Sequence, residues 1–437
     1  MHPTWAPPPP PPAPPRAGEA AAPVGEAERR PMADSLRAFA LLGVVVVNVA
    51  AYRRGVGPTL AAAGGRVGGE VSTLGVGLSA VFEGRFYPLF SFLFGWGFAV
   101  QDARSRVRGR SVLGPWLRRC GVLLVLGAAH ALLLFDGDIL TTYAVLGASL
   151  LLVRPLRPGW LAGLGAALVV AQGLFTTGLV ALGTAVADPD GLGLATLRAD
   201  ALRDLAADAA VYGNGGFGDV VSLRAWDLAI AYPLGLITVG GTVLGMMCLG
   251  MAAARVGWVD PARWPSWLQS GIVPLWAVGL ALSVPAAWLV GDTALGTLDT
   301  GRAAASWALY SLLGPAMALA WAGVVLKAGQ VRPLRRVLDL LAPGGRMSLT
   351  LYLSQSLVAS LAFNGYGLDL GDRLGIGAAV ALAVGLWVLQ LALAQLWFRA
   401  FTMGPLEAVT RAAAYLRWPR IRRQPEGSPL APAPGPG

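Results

Sequence analysis

The chain has 437 residues, of which 55% are hydrophobic and only 13% charged, and its mean hydropathy is +0.59. Soluble domains carry about 25% charged residues, so this balance excludes an ordinary soluble protein and points to the membrane. A net charge of +10 would suit nucleic-acid binding in a soluble chain, but the basic residues here sit in particular loops between apolar segments, so topology explains them and no nucleic-acid partner is expected.

Residues 1–33 include near-continuous proline from Pro7 to Pro15 and no apolar run for a signal peptide. They are expected to form a disordered cytoplasmic tail, with a polyproline ligand as the lesser alternative. From 34 to 400 the expectation is an all-α, polytopic transmembrane helix bundle. Apolar windows of about 19 residues predict ten spanning helices near 35–52, 85–102, 114–135, 138–154, 159–185, 225–254, 266–291, 304–327, 346–364 and 375–398.

Loop charge supports this count. Loops assigned inside carry Arg104 to Arg119, Arg154 and Arg157, Arg255 and Arg263, and the basic run from Lys327 to Arg346. Loops assigned outside carry Asp136 and Asp138, then Asp188 to Asp219, Asp292 and Asp299, and Asp369 and Asp372. The positive-inside rule then places both termini in the cytoplasm of a bacterial cell, beside an anionic inner leaflet. Arg53, Arg54 and Arg66, in the first outer loop, are the exception.

Three further pieces do not span. The run 71–82 is too short to cross and is expected at the outer interface or re-entering the bundle. Within an outer loop at about 186–224, Leu194, Leu197, Ala201 and Leu205 share one face of an amphipathic helix. Over 401–420, Pro405 is expected to open a helix that sets Leu406, Val409, Ala413 and Leu416 against arginines, as suits the inner leaflet surface, and 421–437 is expected to be a second disordered tail. Cys120 and Cys248 fall inside apolar segments without metal-ligand spacing, so both are read as packing residues and no metal is expected.

A helix rises about 1.5 Å per residue, so depths follow from the charged ends. Asn48 lies about 21 Å beyond Asp34, and His130 about 9 Å short of Asp136, which places the two at one level in the outer half. Asn48, Glu83, Arg85, His130, Asp136 and Asp138 are therefore expected to form an outward-facing polar cluster, with Tyr143 following in the same run as His130. Histidine beside carboxylates can take a proton from a hydroxyl or amine near neutral pH. The alternative is structural: a helix-to-helix hydrogen bond from His130, and an ion pair of Glu83 with Arg85 that holds a loop. Asp34 can likewise cap the first helix and neutralise Arg37, or Arg37 and Arg346 can hold the phosphates of a ligand. Ser348, Tyr352, Gln355 and Ser356 form a polar stripe that must face protein or a cavity, not lipid. Gly95, Gly97, Gly241 and Gly245 suit close helix packing, since no phosphate-loop pattern follows a strand.

The runs DSLRAFALLGVVVVN from 34, FEGRFYPLFSFLFGWGFA from 82, HALLLFDGDILTTYAVLG from 130, YGNGGFGDVVSLRAWD from 212 and GRMSLTLYLSQS from 345, with NGYGL from 364 and GPLE from 404, resemble the YeiB-like family of bacterial multi-pass membrane proteins, a domain of unknown function. The resemblance runs from about Asp34 to Arg417. At the first helix that family is similar to transmembrane acyltransferases such as heparan-alpha-glucosaminide N-acetyltransferase, which share an aspartate, an arginine three later and a polar residue near the helix end, here Asp34, Arg37 and Asn48. Such enzymes move an acyl group from a cytosolic thioester to an acceptor across the bilayer, which implies acyl-CoA as donor and an envelope molecule as acceptor. The pattern departs at Ala38, where relatives have glycine, and at Leu351, where they often have asparagine. The next histidine after Asn48 is His130, which would have to fill the catalytic position from another helix.

The leading expectation is an acyltransferase-like activity with His130 as base, Glu83, Asp136 and Asp138 as orienting acids, and Arg37 holding the donor. A transporter or flippase using the same polar groups, or a membrane scaffold, are the alternatives.

Overall fold

The computed structural model describes residues 31–52, 72–187, 193–295, 300–371 and 373–423. The proline-rich tail, the arginines of the first loop, Asp188, Asp190, Asp299, Asp372 and the tail beyond Arg423 lie outside these residues. Among the described residues every element is helical, apart from an isolated bridge between Phe401 and Arg422.

Each segment read as spanning is one helix: α1 Pro31–Tyr52, α3 Phe86–Val107, α4 Leu113–Leu133, α5 Leu140–Val153, α6 Pro158–Ala187, α8 Phe217–Val256, α9 Ser266–Leu295, α10 Thr300–Ala328, α12 Ser348–Phe363 and α13 Ile376–Ala400. Seven of them (α1, α4, α6, α8, α9, α10 and α13) are long and apolar enough to cross a membrane, while α5 and α12 are shorter apolar helices. The cut between α5 and α6 falls at Arg154–Arg157, where Pro158 supplies a first helical residue that needs no amide hydrogen. α8 has 40 residues, about 60 Å of helix, so its first turns extend beyond any bilayer core; it stops at Gly257, whose φ of 74° lets its amide reach the Ala253 carbonyl.

The non-spanning pieces are also helices. α2 Thr73–Phe82 packs on α9, with Val76 and Ala80 against Ala287. α7 is Gly193–Asn214 and α14 is Pro405–Tyr415. The basic run read as an inner loop is partly helical as well: α11, Arg332–Arg346, lies along α1, and the Ser35 hydroxyl donates to the Leu338 carbonyl at 2.7 Å. Leu334, Leu338 and Leu341 recur on one face there, and Pro333 suits its first turn, so an amphipathic helix forms where charge alone suggested a loop.

Glycine sets how closely these helices cross. A Cβ at Gly95 of α3 would stand 1.9 Å from the Met247 carbonyl oxygen of α8, and one at Gly250 of α8 would stand 1.9 Å from that of Phe92. Gly165 of α6 and Gly245 of α8 seat each other in the same way, at 2.7 and 2.6 Å from the opposing carbonyl oxygens. Without a hydrophobic drive inside lipid, such close approach is what holds helices together. Gly97 differs from the other glycines of its group: the nearest atom to its Cβ position is an Arg37 guanidinium nitrogen at 3.9 Å, so it opens space instead of closing a crossing. Both cysteines are buried and free, as packing residues should be. Large apolar side chains on the outside, including Val125, Leu174, Trp226 and Leu393, remain exposed, as a lipid-facing surface requires.

Candidate functional site

The α4–α5 turn brings together the groups with the clearest chemistry. His130 and Asp138 are buried, 2% and 5% exposed, and imidazole Nδ1 lies 2.8 Å from the Asp138 Oδ1. Asp138 Oδ2 accepts from the backbone amide of Thr141 at 2.8 Å and from its hydroxyl at 2.7 Å. The other imidazole nitrogen, Nε2, is buried and has no protein hydrogen-bond partner. Beside the ring stand Tyr352, centroid to centroid 5.0 Å, and Phe135 at 6.3 Å.

Asp136, two residues before the paired aspartate, is exposed. It lies near Asp208 of α7, whose carboxyl is pushed up by burial and by the neighbouring charges of Asp204 and Asp136. Glu83 and Arg85 occupy the α2–α3 turn, where Ser79 donates to Glu83 Oε2 at 2.7 Å and Arg85 donates to the carbonyls of Ser79 and Glu83. The structure thus groups these two with Ser79, and His130 with Asp138, Thr141, Phe135 and Tyr352. Tyr143 donates to the Tyr87 carbonyl at 2.8 Å and accepts from Ser91 at 3.2 Å. Of the polar stripe, Tyr352, Gln355 and Ser356 are buried, and Gln355 donates to Gln390 Oε1 at 2.8 Å.

A cavity of about 1660 Å³ runs through the bundle. Asp34 and Asn48 of α1 both line it, so it extends about 21 Å along that helix. Gly137, Ile139, Leu140, Tyr143 and Tyr352 line it as well; Gly137 and Ile139 flank Asp138 in the chain and Tyr352 stands beside the His130 ring, while His130 and Asp138 lie behind this lining and are not part of it. Its walls between the ends are apolar, with Leu41, Val44, Phe90, Phe94 and Leu123.

The other end is ringed with arginine. Arg37, Arg104, Arg118, Arg119, Arg346, Arg411 and Arg417 line it, and the only carboxylates among its lining residues are Asp34 and Glu407. Asp34 sits in the first turn of α1, three residues inside the helix, and accepts from Arg37 at 2.5 Å; it is a partner of that arginine, not the cap. Arg119 lies 5.6 Å from the Trp116 ring and 5.8 Å from Phe94, both cavity walls. Arg346 stacks over Phe398 at 3.9 Å and donates to the Thr402 carbonyl. Arg37 and Arg346 therefore line one cavity from separate helices, α1 and α11.

α14 walls this end. Glu407 accepts from the amides of Leu349 and Thr350 at 2.8 and 3.2 Å and from the Thr350 hydroxyl at 2.7 Å, capping α12, while Arg118 donates to the Ala414 carbonyl at 2.9 Å. Burial pushes the Glu407 carboxyl above its usual range. Val409 of α14 and Leu416, just past its last turn, are exposed.

Sequence reading missed several of these groups. Asp102 is buried and paired with Arg106 at 2.9 Å and Arg154 at 3.4 Å, which ties α3 to the α5–α6 turn; its only signal is a lone acid among arginines. Arg224, fully buried, donates to the Leu133 carbonyl at 3.0 Å and lies over the Tyr212 ring, so it braces the end of α4 from α8. Thr141, three residues after Asp138, has the spacing at which an aspartate caps a following helix, and that signal was legible.

The family model described as protein of unknown function (DUF418) matches residues 253–417. Similar curated proteins include the uncharacterized protein YxaH of Bacillus subtilis, 29% identical over 351 residues, covering 77% of this chain and 80% of YxaH. The uncharacterized protein YeiB of Escherichia coli is 27% identical over 396 residues, covering 88% of this chain and 96% of YeiB. An uncharacterized 39.9 kDa protein in the amylase 3' region of Bacillus acidopullulyticus is also 27% identical, covering 90% and 96%. No solved structure matches. The chain is an integral membrane protein, similar over most of its length to bacterial YeiB and its relatives, and it carries the DUF418 pattern over residues 253–417.

Proposed function

We propose that this protein is a membrane acyltransferase, moving an acyl group from a phosphorylated thioester at the arginine-rich end of the cavity to an acceptor at the His130 end. The observation that carries this reading is the buried His130–Asp138 pair with an unpartnered Nε2, beside Tyr352 of a cavity whose far end is lined by arginines. In this scheme His130 Nε2 takes the acceptor's proton while the acceptor oxygen or nitrogen bonds to the thioester carbonyl carbon. The C–S bond then breaks, and the thiolate leaves and collects that proton. Asp138 holds the imidazole and stabilises its charged form; Arg37 and Arg346 bind the donor's phosphates. Asn48, Glu83, Arg85 and Asp136 belong to the acceptor side.

The finer topology belongs to this reading. α3, α5 and α12 complete ten crossings of the bacterial cytoplasmic membrane, with both termini on the arginine-rich, cytoplasmic side. Mass spectrometry of envelope lipids and glycans, comparing cells that lack the protein with cells that carry it, tests the activity: an acylated species that depends on the protein supports it, and identical profiles refute it.

One observation favours a second reading, passage of an anionic solute: the cavity follows α1 for much of a bilayer's depth. Protein-dependent uptake or efflux without an acylated product would select it.

A further inference from the structure

We infer that Gly127 and Thr141 are positioning residues that fix His130 as the tautomer protonated on Nδ1, leaving Nε2 as a bare acceptor for a hydroxyl or amine hydrogen of a bound molecule. Gly127 stands one helical turn before His130, on the same face of α4. A Cβ there would lie 2.5 Å from the Thr141 hydroxyl oxygen, 2.6 Å from the Thr141 backbone nitrogen and 2.8 Å from Asp138 Oδ2. One of these neighbours is backbone, so a methyl group could not be accommodated by rotating a side chain. The bare Cα of Gly127 is the socket that lets the first turn of α5 lie against α4 with its aspartate facing the histidine.

Thr141 then settles which oxygen does what. Its amide and hydroxyl both donate to Oδ2, so Oδ1 is left for the imidazole, 2.8 Å from Nδ1. A carboxylate can only accept, so the proton between them belongs to Nδ1 and the lone pair to Nε2. A buried acceptor without a partner is unfavourable, and such atoms in native proteins point to a missing group. Beside the ring stand two aromatic side chains, Tyr352 tilted at 46° and Phe135 edge-on at 65°. Among the described residues no group of three His, Cys, Asp or Glu side chains is placed to hold a metal ion, so an O–H or N–H donor fits the site better than a cation. That this donor is the acceptor of acyl transfer rests on the function proposed above; the tautomer and its two supports do not.

The chain has two histidines, His2 and His130, so an H2A variant of the full-length protein reports on one imidazole. Nitrogen NMR of 15N-histidine-labelled protein in lipid vesicles, at a pH where the ring is neutral, distinguishes the tautomers. Wild-type at position 130 should show a protonated Nδ1 and a bare Nε2. T141V, close to isosteric with threonine, and G127A should each move part of the population to the tautomer protonated on Nε2, and T141S should keep the wild-type spectrum. A proton on Nε2 in the parent protein overturns the inference, and so does a T141V spectrum identical to the parent's. Should G127A fail to fold, T141V against T141S decides alone. A fixed Nδ1–H tautomer in a protein that acylates nothing would sink the proposed activity and leave this inference standing.

Discussion

His130 Nδ1 and Asp138 Oδ1 stand 2.8 Å apart across the α4–α5 turn, although Asp136 is nearer in sequence and exposed. The register of α5 makes the choice. Asp138 lies just before the first turn of that helix and accepts from the Thr141 amide, so it faces inward toward α4, while Asp136 remains in the loop.

This asymmetry predicts unequal substitutions. D138A strands a buried imidazole nitrogen and frees two donors of Thr141, and should destabilise the protein by about 1–3 kcal/mol. D136A, at an exposed position, should stay within about 0.5 kcal/mol. Unfolding of both variants in detergent, side by side, checks this; equal losses would contradict the assigned pairing.

The glycine crossings make a second contrast. G95A drives a methyl into the Met247 backbone and should cost about 1–3 kcal/mol through overpacking. G163A meets nothing within 4 Å and should be neutral or stabilise α6 by up to about 1 kcal/mol. Thermal midpoints of the two variants decide it.

Glu407 predicts a pH dependence. Burial raises its carboxyl in the folded protein, so between its ordinary and its raised value the folded state holds the proton more tightly than the unfolded chain. Its contribution to stability is therefore greatest at acid pH and falls as pH rises through the raised value. E407Q cannot titrate and should flatten that part of the profile of unfolding against pH; parallel profiles would contradict the assignment.

The arginine ring predicts a split in kinetics. R346Q and R119Q each remove a guanidinium from the end that the proposed function assigns to the donor's phosphates, and should raise KM for a phosphorylated thioester about tenfold, the effect of one charge-assisted hydrogen bond, with a smaller change in kcat. Unchanged KM in both would move the donor site elsewhere.

Much of this fold was legible before any coordinates. Apolar length sets a helix almost by itself, so each predicted segment from 35–52 to 375–398 coincides with one helix, and seven of these are long and apolar enough to span. Proximity of His130 to an aspartate was legible for the same reason, since eight residues around a tight turn cannot separate far. Which aspartate was not, because that depends on the register of α5. The α11 helix was hidden by its arginines, although Leu334, Leu338 and Leu341 carry the period. The cavity was the least visible feature: its lining comes from α1, α3, α4, α12 and α14 together, and nothing within one helix records that.

Acyl transfer through the protein can be followed with purified full-length protein in sealed vesicles, with a thioester carrying a labelled acyl group supplied at the arginine-rich face and an amine or hydroxyl acceptor on the other. Label should reach the acceptor with the wild-type protein, and H130A should abolish transfer while still binding the thioester. Transfer by H130A at the wild-type rate would contradict His130 as the base.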